Sequence, residues 1–334
     1  MNSKMKQVFQ SKKIVLVMML VMMLALTACG GNNGANGNNE NQVANNQNQA
    51  IVEDTTGNQG SASVYPITVT DSSNTEVTLT ESPKAIVSIV PSETEILFAI
   101  GLGDKVVGVD EYSNYPEATA DIEKVGDYIT NIEAVMALEP DIVLASSSMN
   151  GEAITKLREL GIVVYTSDPL TYDEVVDHIQ QLGVLLDAQA QSSEVAAEMN
   201  KVKDDIVAKV ANAEVRKVYL EFDTGYTMGS GTFLNDLVTI AGGINVANGQ
   251  PGWFEVDAEA VIIENPAVII YPDFGEEQSS ILAGIQARPG WDAIDAVKNN
   301  EMVMVSNDPL VRVGPRVSQG LSEIAAAIHP ELFQ

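Results

Sequence analysis

Two arginines, Arg312 and Arg316, stand four residues apart in a chain with only 18 Lys and Arg against 46 Asp and Glu. A guanidinium holds a phosphate, carboxylate or catecholate through forked hydrogen bonds, so such scarce cations are the first candidates for gripping an anionic group. Arg316, beside Pro315 at a helix start, reads as structural, and Arg312 as the ligand candidate. A trianionic guest would require several cations, and this lone pair favours a neutral or weakly charged one. Tyr112, Tyr115, Tyr226, Trp253 and Phe274 fall in segments read as loops and offer flat apolar walls. Pro91, Ser92, Ser147 and Asn150 lie in similar segments, and their polar members add fixing points. Catalytic constellations do not emerge. There is no G-x-S-x-G elbow, P-loop, G-x-G-x-x-G fingerprint or Cys–His pair, and Gly229-Ser230-Gly231 is too short to cradle phosphate alone. The two histidines, His178 and His329, fall in a helical stretch and near the C-terminus, which disfavours a zinc or manganese site. Haem ligation would fall to Met149 or Met228, residue types more often used for packing. The chemistry expected is capture without catalysis.

The elements that must position these residues read as alternating α/β. Ala85 to Val90, Val106 to Val109, Ile142 to Ala145, Ile162 to Tyr165, Val215 to Phe222, Val268 to Tyr271 and Met302 to Val305 are short apolar runs. Runs of this kind suit parallel strands covered on both faces. Ser92 and Glu95 stand at capping-box spacing at the start of a helix that Gly101 and Gly103 end. A weak internal repeat divides the region. Glu133-Ala134-Val135 precedes Pro140 and an apolar run, as Glu259-Ala260-Val261 precedes Pro266 and another, with equal Glu-to-Pro spacing. Thr166-Ser167-Asp168-Pro169-Leu170 is echoed, in the same order within its half, by Ser306-Asn307-Asp308-Pro309-Leu310. Two Rossmann-like lobes of similar build follow, at 63–171 and 214–334, with the ligand cleft between them. The proline-free stretch 172–213 predicts a connecting backbone helix, interrupted near Gly183 and Asp187 to Ser193, that serves as a stiff strut.

The N-terminus points outside the cytoplasm. Lys4, Lys6, Lys12 and Lys13 precede an unbroken apolar run, Ile14 to Leu26, too short to span a bilayer that needs about 20 residues. This is the pattern of a secretory signal, 1–28. Leu26-Thr27-Ala28-Cys29 then resembles the lipobox of bacterial lipoproteins, which implies lipid on Cys29 and an extracytoplasmic protein anchored to the cell membrane. Residues 29–62, dominated by Asn, Gln and Gly, read as a disordered tether. The net charge of −28 opposes nucleic-acid binding, and with one cysteine no intrachain disulfide forms.

Taken together, several segments resemble the class III substrate-binding proteins of ATP-driven importers, the group that takes up cobalamin, ferric siderophores and haem. They are Val87 through Glu95, Gly108-Val109 with Tyr112-Ser113 and Tyr115-Pro116, Ile132-Glu133 through Pro140-Asp141, Trp253 with Glu259, and Arg312 with Gly314-Pro315-Arg316. The resemblance covers nearly all of the chain after the tether. It implies a bulky cobalt or iron chelate as ligand, cobalamin first and a ferric siderophore close behind, with haem as the alternative. It also implies no resident cofactor, a monomer, and delivery to a permease dimer with its ATPase. By the same resemblance Glu133 and Glu259 would dock into the two permease subunits, and Trp253 would contact ligand. A surface adhesin or structural lipoprotein is the competing reading; it needs no cleft and leaves the paired glutamates unexplained.

Overall fold

The computed structural model describes residues 62–333, all within one compact unit, Thr56–Gln334. Cys29, the expected signal segment and nearly all of the expected tether lie outside the described residues. An antiparallel ribbon of β1 (Ile67–Thr70) and β2 (Glu76–Leu79) comes first. The first lobe then runs β3 (Ile86–Ser88), α1 (Pro91–Ala99), β4 (Val106–Val109), β5 (Glu123–Lys124), α2 (Ile132–Ala137), β6 (Ile142–Ala145), α3 (Gly151–Glu159) and β7 (Val164–Thr166). Its five strands form one parallel sheet in the order β5-β4-β3-β6-β7. Two helices follow, α4 (Tyr172–Leu186) and α5 (Gln189–Val210).

The second lobe begins with β8 (Arg216–Leu220), β9 (Tyr226–Met228), α6 (Phe233–Ile240), β10 (Gly243–Asn245), β11 (Trp253–Glu255) and α7 (Ala258–Glu264). It continues through β12 (Val268–Asp273), α8 (Ser280–Ala287), α9 (Asp295–Lys298), β13 (Met302–Ser306), α10 (Asp308–Val311) and α11 (Val317–Ile328). Its parallel sheet has the order β10-β8-β12-β13, and β9 pairs separately with β11 as an antiparallel ribbon. Each parallel sheet starts in its middle and grows to one side, by β4 and β5 in the first lobe and by β10 in the second, then crosses to the other side. This makes β6 and β7 the counterparts of β12 and β13: β6 and β12 follow the repeated Glu-Ala-Val segments, and β7 and β13 lead into the echoed Asp-Pro-Leu segments.

Strand periodicity explains why the sheets are covered on both faces. Ile142 and Leu144 of β6 point into one apolar cluster and Val143 and Ala145 into another, because successive side chains alternate across a strand. In the second lobe Val218, Leu220 and Ile270 face one cluster while Tyr219, Ile269 and Tyr271 face the other. The inward faces share a single continuous cluster with α4, α5 and α11, so the lobes are bound through a common apolar layer. Each outward face has its own cluster, and that of the second lobe centres on fully buried Trp291.

The expected strut takes a different form. Helices α4 and α5 fill most of 172–213, but at Asp187, in the left-handed conformation with φ of 63°, the chain reverses. Tyr172 donates to the Met199 carbonyl at 2.8 Å, and Lys203 pairs with Asp173, so α4 and α5 lie as an antiparallel hairpin. Gly183 permits the approach, since a Cβ there would sit 1.9 Å from the Ser192 hydroxyl. Stiffness between the lobes thus resides in a shared apolar layer more than in one rod. The capping box also fails to form. Val90 is the N-cap of α1 with Pro91 in its first turn, and buried Glu95 is turned to other partners.

Candidate functional site

A cavity of about 530 Å³ opens where strand ends of the two sheets converge. Its walls are the segments that follow β3 (Ile89 to Ser92), β4 (Asp110 and Tyr112), β6 (Ser146, Ser148 to Asn150) and β7 (Ser167 to Leu170). Across from these stand Asn307, Asp308 and Val311 to Val313 after β13. Ligands of open α/β sheets bind outside the carboxyl ends of the strands where strand order reverses, and both sheets offer such a point here. The two echoed segments therefore meet at one cavity, each contributing its aspartate, Asp168 or Asp308.

Five expected ligand residues line the cavity: Pro91, Ser92, Tyr112, Asn150 and Arg312. Asn150 is buried and braces the wall, accepting from the Ser146 N–H at 3.0 Å and donating to the Ile89 carbonyl at 3.4 Å. Tyr112 packs its ring 4.6 Å from that of Tyr128, an exposed neighbour that also lines the cavity. Arg312 is in the wall, but its guanidinium is already engaged. It bonds Glu95 Oε1 at 3.1 Å, Asn114 Oδ1 at 2.8 Å and the Tyr112 carbonyl at 3.3 Å, and pairs with Asp308 at 3.1 Å. Arg316 bonds the same Glu95 twice, at 2.7 and 2.6 Å. Glu95, Tyr112 and Asn114 belong to the first lobe and both arginines to the second, so this cluster around buried Glu95 ties the lobes together beside the cavity.

The other expected contacts lie elsewhere. Tyr115 does not line the cavity; its ring lies beneath the Arg316 guanidinium, 4.1 Å from centroid to Cζ, beyond the ion cluster. The Ser147 hydroxyl bonds the Asp168 carboxylate and reaches Ser72 at 3.3 Å, leaving Ser146 and Ser148 to form the wall. Tyr226, Trp253 and Phe274 are exposed on the second lobe and are not part of this cavity's lining. Tyr226 and Trp253 sit on the β9–β11 ribbon, and Phe274 follows Asp273, which pairs in register with Ser306 next to Asn307. Met149 is exposed at the cavity, whereas Met228 is fully buried and unavailable to a guest. Neither histidine reaches the cavity. His178 is buried against Glu93, 2.9 Å from its carboxylate, and His329 is buried at the end of α11.

Aspartates dominate the residues that sequence reasoning missed. Burial pushes the Asp168 carboxyl up, but the hydroxyls of Ser146, Ser147 and Ser148 and the Ser148 N–H outweigh it and hold the group below its usual value. Burial leaves Asp110 raised, despite hydrogen bonds from Ser113 and the Tyr112 N–H. Asp127 is exposed at the rim. Asp168 and Asp308 were marked by the internal echo; Asp110 and Asp127 carried no local signal.

Glu133 and Glu259 occupy matching places. Each is exposed and is the second residue of a short helix, α2 capped by Asn131 and α7 capped by Asp257. Each helix leads into the strand beside its sheet's starting strand, β6 or β12.

Two covered parallel sheets with a cavity at their carboxyl ends make the frame of a two-lobed ligand-binding protein. Residues 86–309 match the family of periplasmic binding proteins, and the chain belongs to that family. It is 36% identical over 281 residues, 81% of this chain and 88% of the relative, to an uncharacterized ABC transporter substrate-binding lipoprotein of Bacillus subtilis. It is 30% identical over 244 residues, 72% of this chain and 87% of the relative, to a vitamin B12-binding protein of Vibrio cholerae. Among solved structures it is similar to a possible iron-binding periplasmic solute-binding protein of Staphylococcus epidermidis. The TM-score is 0.68 at 30% identity, covering 75% of this chain and 100% of that one. No helix among the described residues is long and apolar enough to cross a membrane.

Proposed function

We propose that this chain is the extracytoplasmic solute-binding lipoprotein of an ABC importer, capturing a bulky metal chelate and handing it to a permease dimer driven by its ATPase. The observation that carries the proposal is the cavity of about 530 Å³ at converging strand ends, walled by Tyr112, Tyr128 and Pro91. A flat or caged chelate finds aromatic surface there with a few polar fixings. Cobalamin is favoured over a ferric siderophore. The similarity to a vitamin B12-binding protein supports it, and Arg312, neutralised by Glu95, has little left to offer an anionic catecholate. Haem is the second reading, supported by the Met149 thioether exposed at the cavity. The exposed aromatics Tyr226, Trp253 and Phe274 would extend the contact surface on the second lobe.

Glu133 and Glu259 are proposed as paired docking points. Two equivalent carboxylates suit a twofold partner, and charge pairs of this kind set register and partner choice more than affinity. Lipid on Cys29, the tether and a monomeric state complete the proposal. An adhesin has no use for the cavity or for the equivalence of the two glutamates.

Tryptophan fluorescence tests the capture step, because Trp253 is exposed while Trp291 is fully buried and gives a constant background. Titrations with cyanocobalamin, ferric hydroxamates, ferric catecholates and haem should give saturable binding with at least one, cyanocobalamin first. Saturation by none of them would contradict capture of a chelate.

A further inference from the structure

We infer that the cleft discriminates by charge, binding cationic chelates more tightly than neutral ones and neutral ones more tightly than anionic ones of the same shape. The inference rests on the proposed capture of a chelate and adds the class that is captured. Its basis is a balance of the charges facing one cavity. Four carboxylates line it, Asp110, Asp127, Asp168 and Asp308, against one cation, Arg312. That cation is not free. Glu95 and Asp308 together face Arg312 and Arg316, two negative groups against two positive ones, so the cluster is neutral as a unit.

What remains facing the guest is Asp110, Asp127 and Asp168. None is matched by an arginine or lysine hydrogen-bonded to it. Asp168 is held by serine hydroxyls and a backbone N–H, Asp110 by the Ser113 hydroxyl and the Tyr112 N–H, and Asp127 by the Ile129 N–H. These are neutral donors; they fix the carboxylates in place without cancelling their charge. Lys124, held by the Ser113 and Thr119 carbonyls at 3.0 and 3.3 Å, keeps its charge and offsets part of that of Asp110, so the unmatched negative charge facing the guest rests mainly on Asp127 and Asp168. Apolar walls next to these carboxylates lower the local dielectric, so each acts on a guest more strongly than it would in bulk water.

The test uses two series in which the chelate is kept and its net charge is stepped. One is ferrioxamine B, a monocation through its free amine, with its neutral N-acetyl and monoanionic N-succinyl derivatives. The other is aquocobalamin, cyanocobalamin and a cyanocobalamin monocarboxylate, again cation, neutral and anion. Affinities of the full chain are read at low ionic strength and again in salt. Within whichever series binds, affinity should fall about three- to tenfold per unit of charge from cation to anion, and the steps should shrink as salt screens them. Asp127→Asn should narrow the cation-to-anion ratio, whereas a merely structural role for Asp127 would move all three members together. An anion bound as tightly as its cation overturns the charge rule and leaves chelate capture standing. Binding of neither series, with or without binding of the haem dianion, overturns the charge rule; if haem too fails, capture itself falls with it.

Discussion

Two buried carboxylates of this protein meet arginine in the same forked way and are used differently. Glu221, at the end of β8, is fully buried and receives Arg288 in a bidentate pair, both bonds 2.7 Å, with Tyr219 donating at 2.9 Å and the Gly225 N–H at 2.9 Å. Arg288 in turn lies 4.1 Å from the Trp291 ring, and all these groups belong to the second lobe. Glu95 is almost as buried but takes two arginines from across the lobe boundary, and those arginines keep other partners in Asp308, Asn114 and the Tyr112 carbonyl. One pair is sealed inside a rigid unit, and the other is a shared clasp between units. Removing one partner of a sealed pair strands a buried charge, whereas the clasp has alternatives to fall back on.

This contrast predicts unequal costs. Glu221→Ala should destabilise by about 3–5 kcal/mol, because Arg288 is left desolvated and unpaired. That corresponds to a melting temperature lower by about 10 °C. Glu95→Ala should cost about 2 kcal/mol, with its signature at the lobe boundary: faster hydrogen exchange around Arg312 to Val317 and little change around Tyr219. Equal losses, or exchange changes spread evenly over both lobes, would break the comparison.

A smaller effect separates hydroxyl-held from arginine-held carboxylates. Asp168 has its folded pKa below the ordinary value of about 3.9, so its contribution is present above that pH and lost as pH falls through the folded value. Asp168→Ala should therefore lower the melting temperature by about 5 °C at pH 7, from ~2 kcal/mol of charge-assisted hydrogen bonds. Wild type and variant should converge as the pH falls through the folded value of Asp168. A gap that persists in acid would point to packing rather than to the charge.

Much of the fold is legible in the sequence where burial leaves a continuous apolar trace. Strands β6 and β12 sit in sheets covered on both faces and announce themselves as Ile142 to Ala145 and Val268 to Tyr271. The ribbons β1–β2 and β9–β11 went unread, since half-exposed alternation such as that of Ile67–Thr70 is weak over so few residues. The turn at Asp187 was expected as a break but not as a reversal, because antiparallel packing of α4 on α5 depends on contacts such as Gly183 against Ser192 rather than on local propensity. Arg312 shows the same gap at the site. Its type and scarcity drew attention, yet its partner Glu95 lies 217 positions away, and no local pattern reveals that pairing. The echoed Asp168 and Asp308 were visible as a repeat; that they face one cavity needed the two sheets in place.

The most direct test of the account concerns the separation of capture from delivery. Cells relying on this protein should lose chelate uptake when it carries Glu133→Ala together with Glu259→Ala, while the purified double variant binds the same chelate with unchanged affinity. Undiminished uptake, or loss of binding along with uptake, would contradict the account.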